Sequence, residues 1–75
     1  MSDTPYAVIL VHATSHAMRV EKLLQAKNIA CKMIPVPRQI SSDCGVCIRI
    51  ARRDVDAARQ AILAGAVDIK TIQDI

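Results

Sequence analysis

Residues 6–12 read Tyr-Ala-Val-Ile-Leu-Val-His, a continuous apolar run rich in valine and isoleucine. The run is too short for a typical helix, and its composition is typical of a strand buried on both faces. A strand with two buried faces lies inside a sheet and not at its edge. The first strand is therefore predicted to be central, and the other elements have to be arranged around it.

A helix is predicted to follow over residues 17–27. Its apolar residues recur at intervals of three and four, which is the period of a helix with one buried face. Thr14 or Ser15 can cap its N-terminus, because a hydroxyl oxygen accepts a hydrogen bond from a free amide of the first turn. Asn28 suits its end, since asparagine tolerates the left-handed conformation.

The rest of the chain predicts three more strands and a second helix. The second helix is expected to start after Asp54 and to end at Gly65. Apolar residues alternate in the third strand, which predicts one core face and one partly open face. The three strands are predicted over residues 29–36, 46–51 and 67–75.

The resulting β-α-β-β-α-β order predicts an α+β, ferredoxin-like sandwich. Right-handed crossovers give a four-stranded antiparallel sheet with the strand order 4-1-3-2 and both helices on one face. Pro35 and Pro37 cannot donate to a strand ladder, so the second strand should lie at an edge. This order places it there, and it also places the first strand inside the sheet.

Length and composition limit the function. The 75 residues form one domain, with residues 1–5 as a flexible tail. Tyr6 is the only aromatic residue, whereas small nucleic-acid modules stack bases on exposed aromatic side chains. The net charge of +3 comes without a long basic run, so no nucleic-acid partner is expected.

The compartment is predicted to be the cytoplasm. The N-terminal sequence lacks a positively charged leader, and its apolar run is too short for a signal peptide or a membrane span. No membrane association is therefore expected. In the reducing cytosol the three cysteines stay thiols unless they act as ligands or nucleophiles.

Cys44 is the cysteine most suited to chemistry. In the predicted topology the first and third strands are antiparallel neighbours, so the loop that ends in Cys44 and Gly45 should lie over the N-terminal turn of the first helix. That turn contains Thr14, Ser15 and His16. Free amides and the helix dipole stabilise an anion there, and a thiolate is the nucleophilic form of cysteine.

Other residues of the same loop could support the thiolate. Arg38 could add positive charge, and Ser41 and Ser42 could donate hydroxyl hydrogen bonds. Gly45 gives the backbone freedom to turn and leaves the sulfur uncrowded. These residues are the candidate site, with Cys44 as the thiolate acceptor.

The stretch Pro-Val-Pro-Arg-Gln-Ile-Ser-Ser-Asp-Cys-Gly at residues 35–45 resembles the signature of a family of short bacterial proteins described as selenium/sulfur carrier-like. Residues 14–17 and 21–24 also resemble that family. The resemblance implies one functional cysteine, matched here by Cys44, that holds sulfur or selenium as a persulfide or selenopersulfide. The leading hypothesis is a carrier that takes the atom from a donor protein and hands it to an acceptor protein, and such a carrier needs a reactive thiol but no turnover reaction of its own.

Two alternatives stay open. Cys47 departs from the family pattern and forms a C-x-x-C with Cys44, which would suit a thiol redox protein. Three extended residues separate two α-carbons by about 10 Å, beyond the ~7 Å limit for a disulfide, so only a curled loop would let them pair. Alternatively, His12, His16 and Cys44 could form a metal site in a non-catalytic interaction module.

The remaining expectations concern Cys31, cofactors and the oligomeric state. Cys31 is predicted to be a small buried apolar residue. No cofactor is expected beyond sulfur or selenium held covalently on Cys44. The chain is predicted to be a monomer, or a homodimer formed through its last strand, because that edge has no proline to block pairing.

Overall fold

The computed structural model describes residues 5–37, 40 and 45–74. The chain forms the predicted α+β fold, with a four-stranded antiparallel sheet and two helices. The elements are β1 (Tyr6–Leu10), α1 (Thr14–Ala26), β2 (Cys31–Pro35), β3 (Val46–Ala51), α2 (Val55–Ala64) and β4 (Thr71–Asp74). A short 3₁₀ turn, Arg52–Asp54, joins β3 to α2.

The sheet has the strand order β2-β3-β1-β4, and every neighbouring pair is antiparallel. Read from the β4 edge, the same order is 4-1-3-2. β1 lies inside the sheet, as its apolar run requires. β2 lies at an edge, where the missing amide hydrogen of Pro35 costs the sheet no hydrogen bond between strands.

The main core lies between the sheet and the two helices. Alternate residues of β1 point to this side, and both helices pack their apolar stripes against them. The buried members are Ala7, Ile9, Val11, Ala17, Val20, Leu24, Ile48, Ile50, Ala58, Ala61, Ile62 and Val67. Both helices therefore cover the same face of the sheet.

The opposite face of the sheet carries a second, smaller cluster. The expectation of a partly open face on β3 is wrong at Cys47, which has no exposed surface. The cause is that Val36 and Ile40, which follow β2 in the chain, pack against this face. The cluster consists of Val8, Leu10 and Cys47, with Ile34, Val36 and Ile40 packed against them.

The start of α1 differs from the prediction. The helix begins at Thr14, and its N-cap is Ala13, with no side-chain capping hydrogen bond. The expected cap at Thr14 or Ser15 is therefore wrong. The carbonyl of the extended Ala13 accepts hydrogen bonds from the amides of His16 and Ala17 at 3.0 and 3.2 Å, so the helix starts without a side-chain cap.

The other helix ends follow the prediction in position but not always in mechanism. Asn28 has φ 60°, as expected, and Asp54 precedes α2 but makes no side-chain cap hydrogen bond. Gly65 ends α2 in a right-handed conformation, while Ala66 takes the left-handed one at φ 55°. A Cβ at Gly65 would lie 2.5 Å from Leu23 Cδ1, so glycine lets the two helices approach.

Three strands are shorter than predicted, whereas β3 has the predicted bounds. β1 ends at Leu10, β2 starts at Cys31, and β4 starts at Thr71. Val11 and Val67 are buried outside the strands, because apolar residues can pack on the core without ladder hydrogen bonds. In the described parts of the chain, residues 5–37, 40 and 45–74, the helices lack the length and the apolar content of a membrane span.

Candidate functional site

The candidate site divides into residues that the structure describes and residues that it does not. Thr14, Ser15, His16 and Gly45 are described. The remaining predicted site residues, Arg38, Ser41, Ser42 and Cys44, lie outside the described residues. The described part of the site consists of the two ends of the β2–β3 loop, Ile40 within the loop, and the start of α1.

Both ends of the β2–β3 loop are held by one hydrogen bond. The Val36 amide donates to the Gly45 carbonyl at 3.1 Å, which continues the pairing of Pro35 with Val46 by one further step. Inside the loop, the Ile40 amide donates to the Pro37 carbonyl at 3.0 Å and closes a turn. The chain therefore enters and leaves the loop at one point beside the sheet.

Val36 and Ile40 anchor this loop on the face of the sheet opposite the helices. The described start of the loop thus lies on the other side of the sheet from α1. The chain returns at Gly45. Because Leu10 pairs with Cys47, residues beyond Leu10 and before Cys47 reach the same end of the sheet, which is the end where α1 begins.

Gly45 occupies a conformation that favours glycine. Its φ is +82°, in the left-handed region that a side chain disfavours. A Cβ built on it would have no neighbouring atom within 4 Å. The residue that follows Cys44 in the chain therefore lies in open space, and the backbone conformation explains the glycine.

The start of α1 presents hydroxyl and imidazole groups. Thr14 and Ser15 are exposed, as is His12 in the turn before the helix. His16 is partly buried, and its Nδ1 has no hydrogen-bond partner among the residues that the structure describes. The hydroxyl groups are therefore exposed at this end of the sheet, whereas the Nδ1 atom of His16 is shielded from solvent.

The two described cysteines are poor nucleophiles, for different reasons. Cys47 is fully buried, and its Sγ lies 4.0 Å from the Pro35 carbonyl oxygen. Cys31 is partly buried, and its Sγ lies 3.9 Å from the Glu21 carbonyl oxygen. Burial, and then the negative charge of Glu21, raise the pKa of the Cys31 thiol, so the reactive thiolate is disfavoured.

Comparison with protein families decides the identity of the chain. The family model described as "Putative Se/S carrier protein-like" matches residues 6–73. The chain belongs to this family. The match confirms the resemblance first seen in the loop around Cys44. No curated protein and no solved structure matches the chain.

Within this Se/S carrier-like chain, the alternative sites are only partly described. Among residues 5–37, 40 and 45–74, no group of three or more His, Cys, Asp and Glu side chains could hold a metal ion. A metal site of His12, His16 and Cys44 includes a residue outside that set and stays a prediction. So does the pairing of Cys44 with Cys47, although the burial of Cys47 keeps solvent from its sulfur.

One functional feature of the carrier-like chain was missed in the sequence. The sequence between Arg38 and Gly45 is mostly polar, yet Ile40 within it packs against the sheet. An isolated isoleucine between polar residues, following the alternation of Ile34 and Val36, was the available signal. This signal predicts that Ile40 packs against the sheet.

Proposed function

We propose that the chain carries sulfane sulfur or selenium on Cys44, as a persulfide or selenopersulfide, and relays the atom between donor and acceptor proteins. The reducing cytosol would suit this thiol chemistry. Membership of the Se/S carrier-like family supports the carrier reading. No turnover reaction of its own is proposed, since the atom leaves as it arrived.

The choice of Cys44 rests on the burial and the pKa of the other two thiols. Cys47 is fully buried, and the pKa of Cys31 is raised by burial and by Glu21. Sulfur transfer needs an accessible thiolate, because the thiolate is the attacking species. Cys44, the third cysteine of the chain, is therefore the proposed acceptor.

The transfer step balances without an external oxidant. The Cys44 thiolate attacks the terminal sulfur of a donor persulfide R–S–S⁻. A new S–S bond forms on Cys44 as the donor S–S bond breaks, and the donor leaves as the thiolate R–S⁻. A donor selenopersulfide R–S–Se⁻ transfers selenium in the same way. Unloading to an acceptor thiolate is the reverse exchange.

The other site residues have supporting roles in this proposal. Arg38, Ser41 and Ser42 stabilise the charge on the loaded sulfur by charge and by hydroxyl hydrogen bonds. Polar groups are offered at the start of α1 by Thr14, Ser15 and His16. The start of α1 lies at the same end of the sheet as Gly45. The packing of Ile40 against the second face of the sheet supports a fixed attachment of this loop beside the sheet.

The proposal extends to fold type and assembly. The element order and the strand order support a ferredoxin-like βαββαβ sandwich. β4 forms one edge of the sheet and pairs with β1. A homodimer through this edge and a monomer are both compatible with a carrier, and sedimentation equilibrium distinguishes them.

The test is intact-mass spectrometry after incubation with glutathione persulfide, and separately with its selenium analogue. The wild-type chain should gain one sulfur or one selenium atom on Cys44, and dithiothreitol should remove it. Cys44→Ser should gain nothing and should keep its fold by circular dichroism. Cys31→Ser and Cys47→Ala are matched controls that should load like the wild type. Loading of Cys44→Ser, or no loading of a free Cys44 thiol, would contradict the proposal.

A further inference from the structure

The half of the second sheet face that lies away from Gly45 is basic. Tyr6, Lys32 and Arg49 lie on this half, and Arg52 and Arg53 follow at the end of β3. We call these five residues the Tyr6 surface. It lies at the end of β3 away from Gly45, and none of its five residues belongs to the predicted Cys44 site.

Two like charges face each other across the strands of the Tyr6 surface. Lys32 of β2 is paired directly with Arg49 of β3, and like charges in this relation destabilise a sheet. Arg52 forms an ion pair with Asp74 at 3.5 Å. Among the residues that the structure describes, no carboxylate pairs with Lys32, Arg49 or Arg53. A bound anion would remove this repulsion.

The Tyr6 ring orders one of these charges. The Arg49 guanidinium carbon lies 4.4 Å from the centre of the ring, a cation–π contact. Stacking on a ring holds the guanidinium plane and leaves its N–H edges available, which is the geometry that binds a carboxylate through two hydrogen bonds. Tyr6 itself stays 40% exposed.

Two shallow depressions flank the Tyr6 ring and share Tyr6 and Ala51. One, of about 310 Å³, is lined by Tyr6, Ala30, Cys31, Lys32, Arg49, Ile50 and Ala51. The other, of about 420 Å³, is lined by Pro5, Tyr6, Ala51, Arg52 and Arg53. Each combines a floor of small apolar groups with basic side chains.

We propose that the Tyr6 surface docks an acidic segment of a partner protein, with carboxylates on Lys32, Arg49 and Arg53 and an apolar side chain in a depression. The alternation of basic and apolar groups favours a peptide over nucleic acid, because a single aromatic ring offers little base stacking. This surface goes beyond the carrier function and does not require that Cys44 bind anything.

The chain supplies its own reporter for the test. Tyr6 is the only tyrosine, and tryptophan is absent, so intrinsic fluorescence reports on this surface alone. The probe is an acetylated hexapeptide, Glu-Leu-Glu-Glu-Leu-Glu, titrated into the full chain at low ionic strength and at about 0.15 M salt. The matched probe replaces each glutamate with glutamine. Single-stranded oligothymidylate tests binding of any polyanion.

The acidic peptide should change Tyr6 emission saturably, and added salt should weaken its binding, whereas the glutamine peptide should have no effect. Lys32→Gln combined with Arg49→Gln should weaken binding about tenfold. The control Lys22→Gln combined with Arg59→Gln removes the same charge from exposed helix positions and should change it less than about twofold. Arg53→Gln gives an independent loss at a second site.

Three results would overturn the docking proposal. They are an unchanged Tyr6 signal with the acidic peptide, equal weakening by both double variants, and tighter binding of oligothymidylate than of the peptide. Circular dichroism checks that each variant is folded. Failure of Cys44 to load sulfur would leave this result unaffected, so the two proposals fail separately.

Discussion

Replacing Ile40 with alanine tests whether the β2–β3 loop is held on the second face of the sheet. Ile40 packs against the cluster of Val8, Leu10 and Cys47. The substitution removes three carbon atoms, each worth about 0.8 kcal/mol when fully buried. Because Ile40 is only partly buried, about half of that total applies. The substitution should therefore weaken the packing of the loop on the sheet by about 1 kcal/mol.

Cys47 reports on this loss through its accessibility. In a Cys31→Ser, Cys44→Ser background it is the single thiol, and it is fully buried. A thiol reagent can reach it only when the loop lifts or the chain unfolds. A loss of about 1 kcal/mol in loop seating raises the population of the lifted state about fivefold. Labelling under native conditions, followed by mass or absorbance, should accelerate by that factor.

Ile72→Ala is the matched control for this experiment. Ile72 is also partly buried, but it packs against the main core on the helical face. It should lower the free energy of unfolding by a similar amount and leave native-state labelling of Cys47 unchanged. Equal acceleration in both variants would show that Cys47 is reached by global unfolding. Rapid labelling of the parent protein would show that the loop does not cover Cys47 at all.

Two further predictions concern pH and backbone conformation. The pKa of the Cys31 thiol is higher in the folded chain than in the unfolded chain, because folding favours the neutral thiol. The resulting contribution to the free energy of unfolding is complete below the ordinary thiol pKa, and it is lost as pH rises through the pKa of the folded state. Urea unfolding across that alkaline range should show that the free energy of unfolding declines more in the wild type than in Cys31→Ala. Parallel plots of this free energy against pH would refute the raised pKa. Ala66, at φ 55°, and Gly45, at φ +82°, predict effects of opposite sign. Ala66→Gly should stabilise by about 0.5–1 kcal/mol, and Gly45→Ala should destabilise by about 1 kcal/mol, in urea unfolding; the same sign for both would contradict this.

Cys47 shows where inference from sequence fails. Its alternation with Val46 and Ile48 correctly predicts a strand, and correctly predicts that Cys47 points away from the helices. The alternation cannot show what covers that second face. The cover comes from Ile40 and Val36, which belong to a loop whose path depends on where it can bury apolar surface.

The helix starts show a second kind of failure. Thr14 and Ser15 have the right chemistry for an N-cap, but the structure places both inside α1 and Ala13 at the cap. A cap is worth only about 1 kcal/mol, so packing of Ala17 and Val20 against the sheet outweighs it in setting where the helix begins. Boundaries are therefore less predictable than the elements themselves.

The sequence by itself determined the order of the elements, the interior position of β1, the edge position of β2 and the family of the chain. These properties depend on local features: the period of the apolar residues, the missing amide of Pro35, and the motif around Cys44. Only the tertiary structure decided that Cys47 is buried, that the pKa of Cys31 is raised and that Lys32 faces Arg49. Each of these depends on strand register and on contacts between residues distant in the chain, because burial and charge interactions are set by proximity in space.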